Sequence, residues 1–384
     1  MRIALVTPRY ASHAGALGRH VRELARGLTR RGAAVEVITQ EREHRLRRDS
    51  QLDDVLVRRF PMSHHNARFA VTPALSEYLR RTASSFDLVH THSAHVLLAL
   101  AAARARPRRL VFSPLAPMER LLSWPYARAT RAVVDRAAQT ICTSQADADL
   151  LCRASPEAAD RVAVVPQGVD TAAIRTATAF SMLGTVVLTV GRLERRKRVD
   201  RAIAAMAGLA PTFELVVVGD GPARRRLMGH AVDLQVSSRV RFTRSVSDDD
   251  LYRWLSTARL VLTLSQQEAF GLQVLEGVAA GVPVVASDIP AHREAGNHAT
   301  GTGVTFVSPE GSPLEVADAI RSALILPAQA PVRPLPSWTD VVDRTLALYE
   351  ELMRRSPTKG AHRARPGRPG AVERRGRSGV AIRD

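Results

Sequence analysis

The chain has 384 residues, 45% of them hydrophobic and 4% aromatic, with a formal net charge of +18. That is more than one hydrophobic core usually covers, so two domains of comparable size are expected, with the composition of a soluble globular protein. The charge calls for an anionic partner, be it nucleic acid, anionic lipid head groups or a phosphorylated substrate. From Arg354 onward nine Arg and one Lys face only Glu373 and Asp384, so the tail alone holds +8. A basic nucleic-acid surface over the whole molecule is therefore not required, and the interleaved aromatics of a sequence-tolerant single-strand binder are missing.

Met1-Arg-Ile-Ala-Leu-Val-Thr-Pro8 turns polar too early for a signal peptide, and no run approaches the length of a membrane span. Cys142 and Cys152 fit neither a disulfide framework nor a zinc spacing. A reduced, cytoplasmic chain is expected, with both thiols acting as small buried apolar groups.

Ile3–Thr7 reads as a first buried strand and Pro8–Gly18 as a loop. A helix follows near Arg19–Arg31, with Val21, Leu24, Ala25 and Leu28 at helical spacing; Gly32 stops it and Val35–Thr39 is the second strand. This opening is Rossmann-like, but Gly15-Ala-Leu-Gly18 is not the dinucleotide fingerprint, so an NAD enzyme is not expected and an ordinary turn also fits. Val55–Phe60 is a third strand, Ser63–Ala70 a loop with His64 and His65 left unassigned, and Thr72–Ser84 a helix. Asp87-Leu-Val-His-Thr-His-Ser93 ends a strand beside His90, His92 and His95. No carboxylate or cysteine accompanies them at ligand spacing, so no metal site is expected, and a packed strand-end histidine remains an alternative for His92.

Ala94–Arg106 reads as a helix, Leu110–Ser113 as a strand, and Arg120–Ala138, with Trp124, Pro125 and Tyr126 ahead of a helix, as core and acceptor wall. Thr140–Ser144, the helix Gln145–Arg153 and the strand Val162–Pro166 complete a first domain, 1–168, with a hinge in Gln167–Gly184. The second domain, 169–326, opens with Val186–Val190, then Gly191, Arg192 and Lys197; Arg195, Arg196 and Arg198 read as solvated helix-start charges. Phe213–Val218 leads into the turn Gly219-Asp-Gly-Pro222, and Val240–Thr243 is a strand. Asp248-Asp-Asp250 follows Ser247 at a helix start, where carboxylates cap and favour the dipole rather than bind metal.

Residues 261–288 form a strand–loop–helix–strand unit: an apolar run, polar Ser265–Glu268, a helix from about Phe270 closed by Gly281, and a strand Val282–Ala286. Glu268 lies before the helix and Glu276 inside it. A helix start offers unpaired N–H groups to a phosphate, and carboxylates accept from sugar hydroxyls, so the unit suits a nucleotide sugar. Spacing alone favours a plain loop charge at Glu268 and a solvated helix position at Glu276. His292 and Glu294 fall in a short helix, Thr302–Val307 is a strand, and Pro313–Ile325 a helix. Pro327–Pro336 is a linker, Ser337-Trp-Thr-Asp340 starts a helix over 337–354, and the Arg-, Gly- and Pro-rich 356–384 should be a basic disordered tail.

Glu268 and Glu276 are separated by seven residues, within Glu-Ala-Phe-Gly-Leu-Gln-Val-Leu-Glu followed by Gly-Val-Pro-Val-Val-Ala-Ser. This resembles the signature of the retaining, nucleotide-sugar-dependent glycosyltransferases of family 4, the group 1 transferases. Gly-Arg-Leu-x-x-x-Lys at 191–197, Asp-x-x-His-x-His at 87–92 and Gln167-Gly-Val-Asp170 agree with it in order, and the likeness covers roughly 1–354. It implies an α/β chain with the GT-B fold, two Rossmann-like domains facing across a cleft with a C-terminal helix crossing back to the first. The implied reaction moves a sugar from a UDP-, GDP- or ADP-sugar to a hydroxyl of a small-molecule, glycan or lipid-linked acceptor, with no metal or other cofactor.

By the same resemblance, Glu276 would hold the ribose, and Glu268 with the Phe270–Gly271 backbone the transferred sugar. Arg192, Lys197 and the Gly15 loop would hold the diphosphate, with His92 near the reacting carbon. The departures are Ala16 where the family has a second glycine, Leu115 near a usual histidine, Gln167 for asparagine, and Arg244 where a glycine is usual in a loop contacting the base. A peripheral contact with an anionic membrane surface at the inner face is compatible with the charge. A silent nucleotide-sugar binder would share the donor motifs, and a donor-transfer assay separates it from an enzyme.

Overall fold

A computed structural model describes residues 1–10, 15–41, 48–62, 71–92, 96–298, 303–325 and 333–355. His64, His65, His95, Thr302, most of the linker and the tail after Ser356 lie outside the described residues.

The short apolar, β-branched runs assemble into two separate sheets. The first contains β1 (Arg2–Thr7), β2 (Ala34–Glu41), β3 (Asp49–Leu52), β4 (Val55–Pro61), β5 (Leu88–His92), β6 (Leu110–Ser113), β7 (Gln139–Cys142) and β8 (Val162–Val164), in the order β3-β4-β2-β1-β5-β6-β7-β8. The second contains β9 (Thr185–Val190), β10 (Phe213–Val218), β11 (Val240–Arg244), β12 (Leu260–Thr263), β13 (Val284–Ser287) and β14 (Val304–Val307), in the order β11-β10-β9-β12-β13-β14. All pairings are parallel except the edge pair β3–β4. Continuous burial of Ile3–Val6, Val186–Leu188 and Leu260–Leu262 is what a sheet covered by helices on both faces requires. In each sheet the strand order reverses beside a central strand, β1 or β9, and an open parallel sheet places its ligand crevice at the carboxyl ends near such a reversal.

One strand goes unread in the sequence, and three expectations need correction. The polar edge strand Asp49–Leu52 carries no apolar alternation and pairs through its backbone with β4. The first helix spans Gly15–Arg30, so Gly15–Gly18 belong to its opening rather than to a loop. Trp124 is 91% exposed rather than part of the core, and Cys152 is only partly buried while Cys142 is buried.

The C-terminal helix, Trp338–Arg354, returns to the first domain. Its start is fixed by a capping box in which Asp340 N donates to Ser337 Oγ at 3.1 Å and Ser337 N to Asp340 Oδ2 at 2.8 Å. It lies against the first helix, where Gly27 permits an approach that a Cβ would block by overlapping Val342. Val341, Val342, Tyr349 and Leu352 are buried. Each contributes about 1.5–3 kcal/mol, whereas the exposed Arg31–Asp343 pair at 2.6 Å is worth at most about 1 kcal/mol. Packing therefore decides this contact. Gly27→Val should destabilise the chain by about 2 kcal/mol through overpacking, and Val342→Ala in the same chain should restore part of the loss. Thermal melting of the three proteins reads the effect.

Candidate active site

The turn after β9 begins at Gly191, whose φ of +143° favours glycine. Its partner turn after β10 begins at Gly219, where a Cβ would run into the Gly191 backbone. Gly191 N donates to Val218 O at 2.9 Å, so the two glycines lock neighbouring loops at the carboxyl end of the sheet. From this platform Arg192, Arg196 and Lys197 project. Arg192 Nε donates to Glu194 Oε1 at 2.7 Å, and Arg196 Nε to Glu194 Oε2 at 3.2 Å. Arg196 also lies 3.6 Å from Glu268 Oε2, and Lys197 pairs directly with Glu268 Oε1, which also accepts from Ser265 Oγ at 2.6 Å. A chain of alternating charge thus runs Arg192–Glu194–Arg196–Glu268–Lys197.

Burial pushes the Glu268 pKa up, but Lys197 and then Arg196 outweigh it and pull it down to about 2. The carboxylate is therefore charged at any neutral pH. Lys197 lines a small recess with Gly191, Leu193, Thr263, Ser265 and Gln273. Gln273 closes one side by donating to Val190 O.

Phe270 is buried and Gly271 takes a φ of +99° to start the helix Leu272–Ala280, where a Cβ would also press on Ala291 O. Gly281, also left-handed, ends it. Glu276, on this helix, is only 3% exposed, and its carboxyl is raised from the usual range by burial, opposed by Arg19. Arg19 comes from the first helix and donates through Nη1 to Glu276 Oε1 at 2.9 Å. The two domains also meet where Thr143 Oγ1 donates to Ala269 O at 3.0 Å, and where Glu294 accepts from Gln145 N at 2.8 Å, capping a helix of the first domain.

The structure therefore joins Arg192, Lys197 and Glu268 in one network and places Glu276 in a second, cross-domain one. Gly15 stands exposed at the start of the first helix with φ +64° and open space where a Cβ would be. His92 ends β5 and is fully enclosed, its ring centroid 3.8 Å from that of His90 and 5.5 Å from that of His20. Burial first, then its histidine neighbours, hold it well below the ordinary imidazole range, so it is neutral. Its ring nitrogens have no hydrogen-bond partner among the described residues. His90 is different: Nε2 lies 2.8 Å from Ser113 Oγ and Nδ1 meets the Tyr349 hydroxyl of the C-terminal helix. Among the described residues no cluster of three or more His, Cys, Asp or Glu is arranged to hold a metal ion.

Residues 17–173 match the family profile "Glycosyltransferase Family 4" and residues 170–333 "Glycosyl transferases group 1". D-inositol 3-phosphate glycosyltransferase 1 of Catenulispora acidiphila is 30% identical, over 88% of this chain and 90% of its own. The chain belongs to the group 1, family 4 glycosyltransferases. This glycosyltransferase is also 29% identical to glycogen synthase of Mycobacterium tuberculosis, over 91% of this chain and 94% of that one. Its fold is GT-B. Sucrose-phosphate synthase from Thermosynechococcus elongatus aligns with a TM-score of 0.74 at 21% identity, covering 91% of this chain and 98% of that one. Anabaena HepE in complex with UDP-glucose gives 0.74 at 19%, covering 91% and 100%.

Two site residues are invisible to spacing. Arg19 is 257 positions from its partner Glu276. Arg196 is expected from sequence to be solvated, yet the structure ties it to Glu194, Glu268 and the Gln267 carbonyl. Arg198 likewise pairs with Asp200 and Glu310, while Arg195 is exposed. Asp248 and its neighbours do cap a helix, with Ser247 Oγ accepting from Asp250 N at 3.1 Å, and Asp248 additionally binds Arg19 and Arg22 of the first domain. Arg196→Ala should lower kcat/KM on the order of tenfold, the worth of a charged hydrogen bond, while Arg195→Ala should leave it near the parent value. Steady-state sugar transfer by the glycosyltransferase checks the pair.

Proposed function

We propose that this glycosyltransferase takes a sugar from a nucleoside diphosphate and passes it to an acceptor hydroxyl with retention at the anomeric carbon and without a metal ion. The observation that carries this reading is the Arg192–Glu194–Arg196–Glu268–Lys197 network at the carboxyl end of β9 and β12. When the glycosidic bond breaks, its electron pair goes to the diphosphate oxygen. Fixed cations there stabilise the charge that develops more than the charge already present, which lowers the barrier. Arg192 and Lys197 are assigned that task, with Arg presenting a planar fork and Lys a point charge. Such groups supply what a metal would otherwise supply.

Gly15, at the first helix N-terminus, is assigned to the diphosphate through its backbone. Glu268 and the Phe270–Gly271 backbone are assigned to the sugar, Glu276 to the ribose hydroxyls, and His92 to the vicinity of the reacting carbon. The acceptor oxygen bonds the anomeric carbon on the face the diphosphate leaves, and the acceptor proton passes to that leaving phosphate. No separate protein base is needed. The solved complex of HepE with UDP-glucose makes a UDP-sugar the first donor to try, with GDP- and ADP-sugars beside it. The acceptor is a small molecule, a glycan or a lipid-linked molecule, handled in the cytoplasm, where the basic chain can rest on an anionic membrane surface. Among the described residues no helix is long and apolar enough to cross a membrane.

Thermal-shift screening of UDP-, GDP- and ADP-sugars, followed by transfer assays with and without chelator and by NMR of the product anomer, tests the reading. Inversion, loss of activity to chelator, or binding without transfer would each overturn the part it addresses. Glu276→Ala and Lys197→Ala should each lower kcat/KM on the order of a hundredfold with melting behaviour retained. Near-full activity in either would remove that residue from the mechanism.

A further inference from the structure

The first helix sends Arg19 into the second domain, where it meets two acids. Nη1 donates to Glu276 Oε1 at 2.9 Å and Nε lies 3.0 Å from Asp248 Oδ1. Arg22, about one turn on, pairs with Asp248 Oδ2. The Arg19 side chain is 11% exposed and that of Glu276 only 3%. Its guanidinium carbon lies 5.7 Å from the centre of the Tyr252 ring. Ion pairs this deep lose much of their Coulomb gain to desolvation, so they add little net stability over an apolar contact. Removing one partner is another matter, because the other charge is left buried alone.

The groups facing Glu276 come from several elements. The 248–257 helix supplies Asp248 and Tyr252, and the loop after β9 supplies Lys197. Among the described residues, Arg19 is the group in hydrogen-bond contact with the carboxylate. Asp248 repels it more strongly than Lys197 attracts it, so without Arg19 the larger remaining influence would be of the wrong sign. Arg19 engages Oε1 and leaves Oε2 outside that bond, and a ribose diol needs a charged acceptor rather than a protonated acid.

We propose that Arg19 is a positioning residue for donor binding: it fixes the Glu276 carboxylate and balances its charge, so the second domain's grip on the donor depends on a side chain supplied by the first. This rests on Glu276 holding the ribose hydroxyls. Domain closure and donor affinity are then one linked equilibrium, because the carboxylate is competent when Arg19 is in place.

The test titrates the full chain calorimetrically with the tightest binder among UDP, GDP and ADP, between about pH 6 and about pH 9. Each variant is compared with wild type at the same pH, so the titration of the ligand's own phosphate cancels. Arg19→Met should bind more weakly on the order of tenfold near neutrality, and the deficit should shrink as pH rises and Glu276 loses its proton. Arg19→Lys should restore most of the affinity, and Arg19→Met combined with Glu276→Gln should show a deficit that does not change with pH. If Arg19→Met folds poorly, Arg19→Gln reads the same dependence, since it can hydrogen-bond Glu276 but brings no charge. A deficit constant across pH, or none, would make Arg19 merely structural and overturn the proposal. Wild-type affinity in Glu276→Gln alone would instead overturn the ribose assignment, whatever Arg19 does.

Discussion

Glu268 and Glu276 belong to one loop–helix unit, yet each is balanced by cations from a different part of the chain. A carboxylate removed from water stays charged only with a positive group against it. For Glu268 the cations are local to its own domain, Lys197 and Arg196 from the turn after β9. For Glu276 the cation is foreign, Arg19 of the first domain. Burial acts on both, but the outcome differs: one acid is pulled far down and the other stays raised. The site is thus assembled in two steps, one by folding of the second domain and one by its meeting with the first.

The parallel architecture explains why these groups converge at all. Every βα connection leaves its strand at the carboxyl edge, so Gly191, Gly219, Ser265 and Glu268 share one rim of the second sheet. His92 ends β5 and so lies on the corresponding rim of the first sheet. The glycines do the local work. Without side chains at 191 and 219 the two loops can touch, and that contact sets the base from which Arg192 and Lys197 extend.

Much of this was legible in the sequence because it is written locally. Apolar runs of strand length, helix-stop glycines and the Ser337–Asp340 cap are short-range signals, and the structure reproduces them with small boundary shifts. The family resemblance, carried by residues 191–197 and 268–287, holds at the level of family and fold. What was not legible is non-local or lacks side-chain pattern. Asp49–Leu52 is a strand because β4 offers a free edge, not because its residues prefer one. Trp124 belongs to a segment that reads as core and acceptor wall, yet its surroundings leave it in water. Arg196 and Arg198 read as solvent-facing charges because two of their acidic partners, Glu268 and Glu310, follow other strands and are distant in the chain. Arg19 offers no sequence signal of its own, since a cation on a helix beside other arginines fits any exposed face.

Gly168 is packed so closely on Trp338 that a Cβ would overlap its backbone and ring, and Val169 N donates to Pro336 O at 2.8 Å. The chain therefore passes between the two halves twice at nearly the same spot, and the two passages are bonded side by side. A single thread would let one half spin as well as tilt. A doubled thread resists torsion and leaves swinging about its own line as the soft motion. Were the halves to part and come together again, the same rims would meet in the same alignment, without a search over orientations.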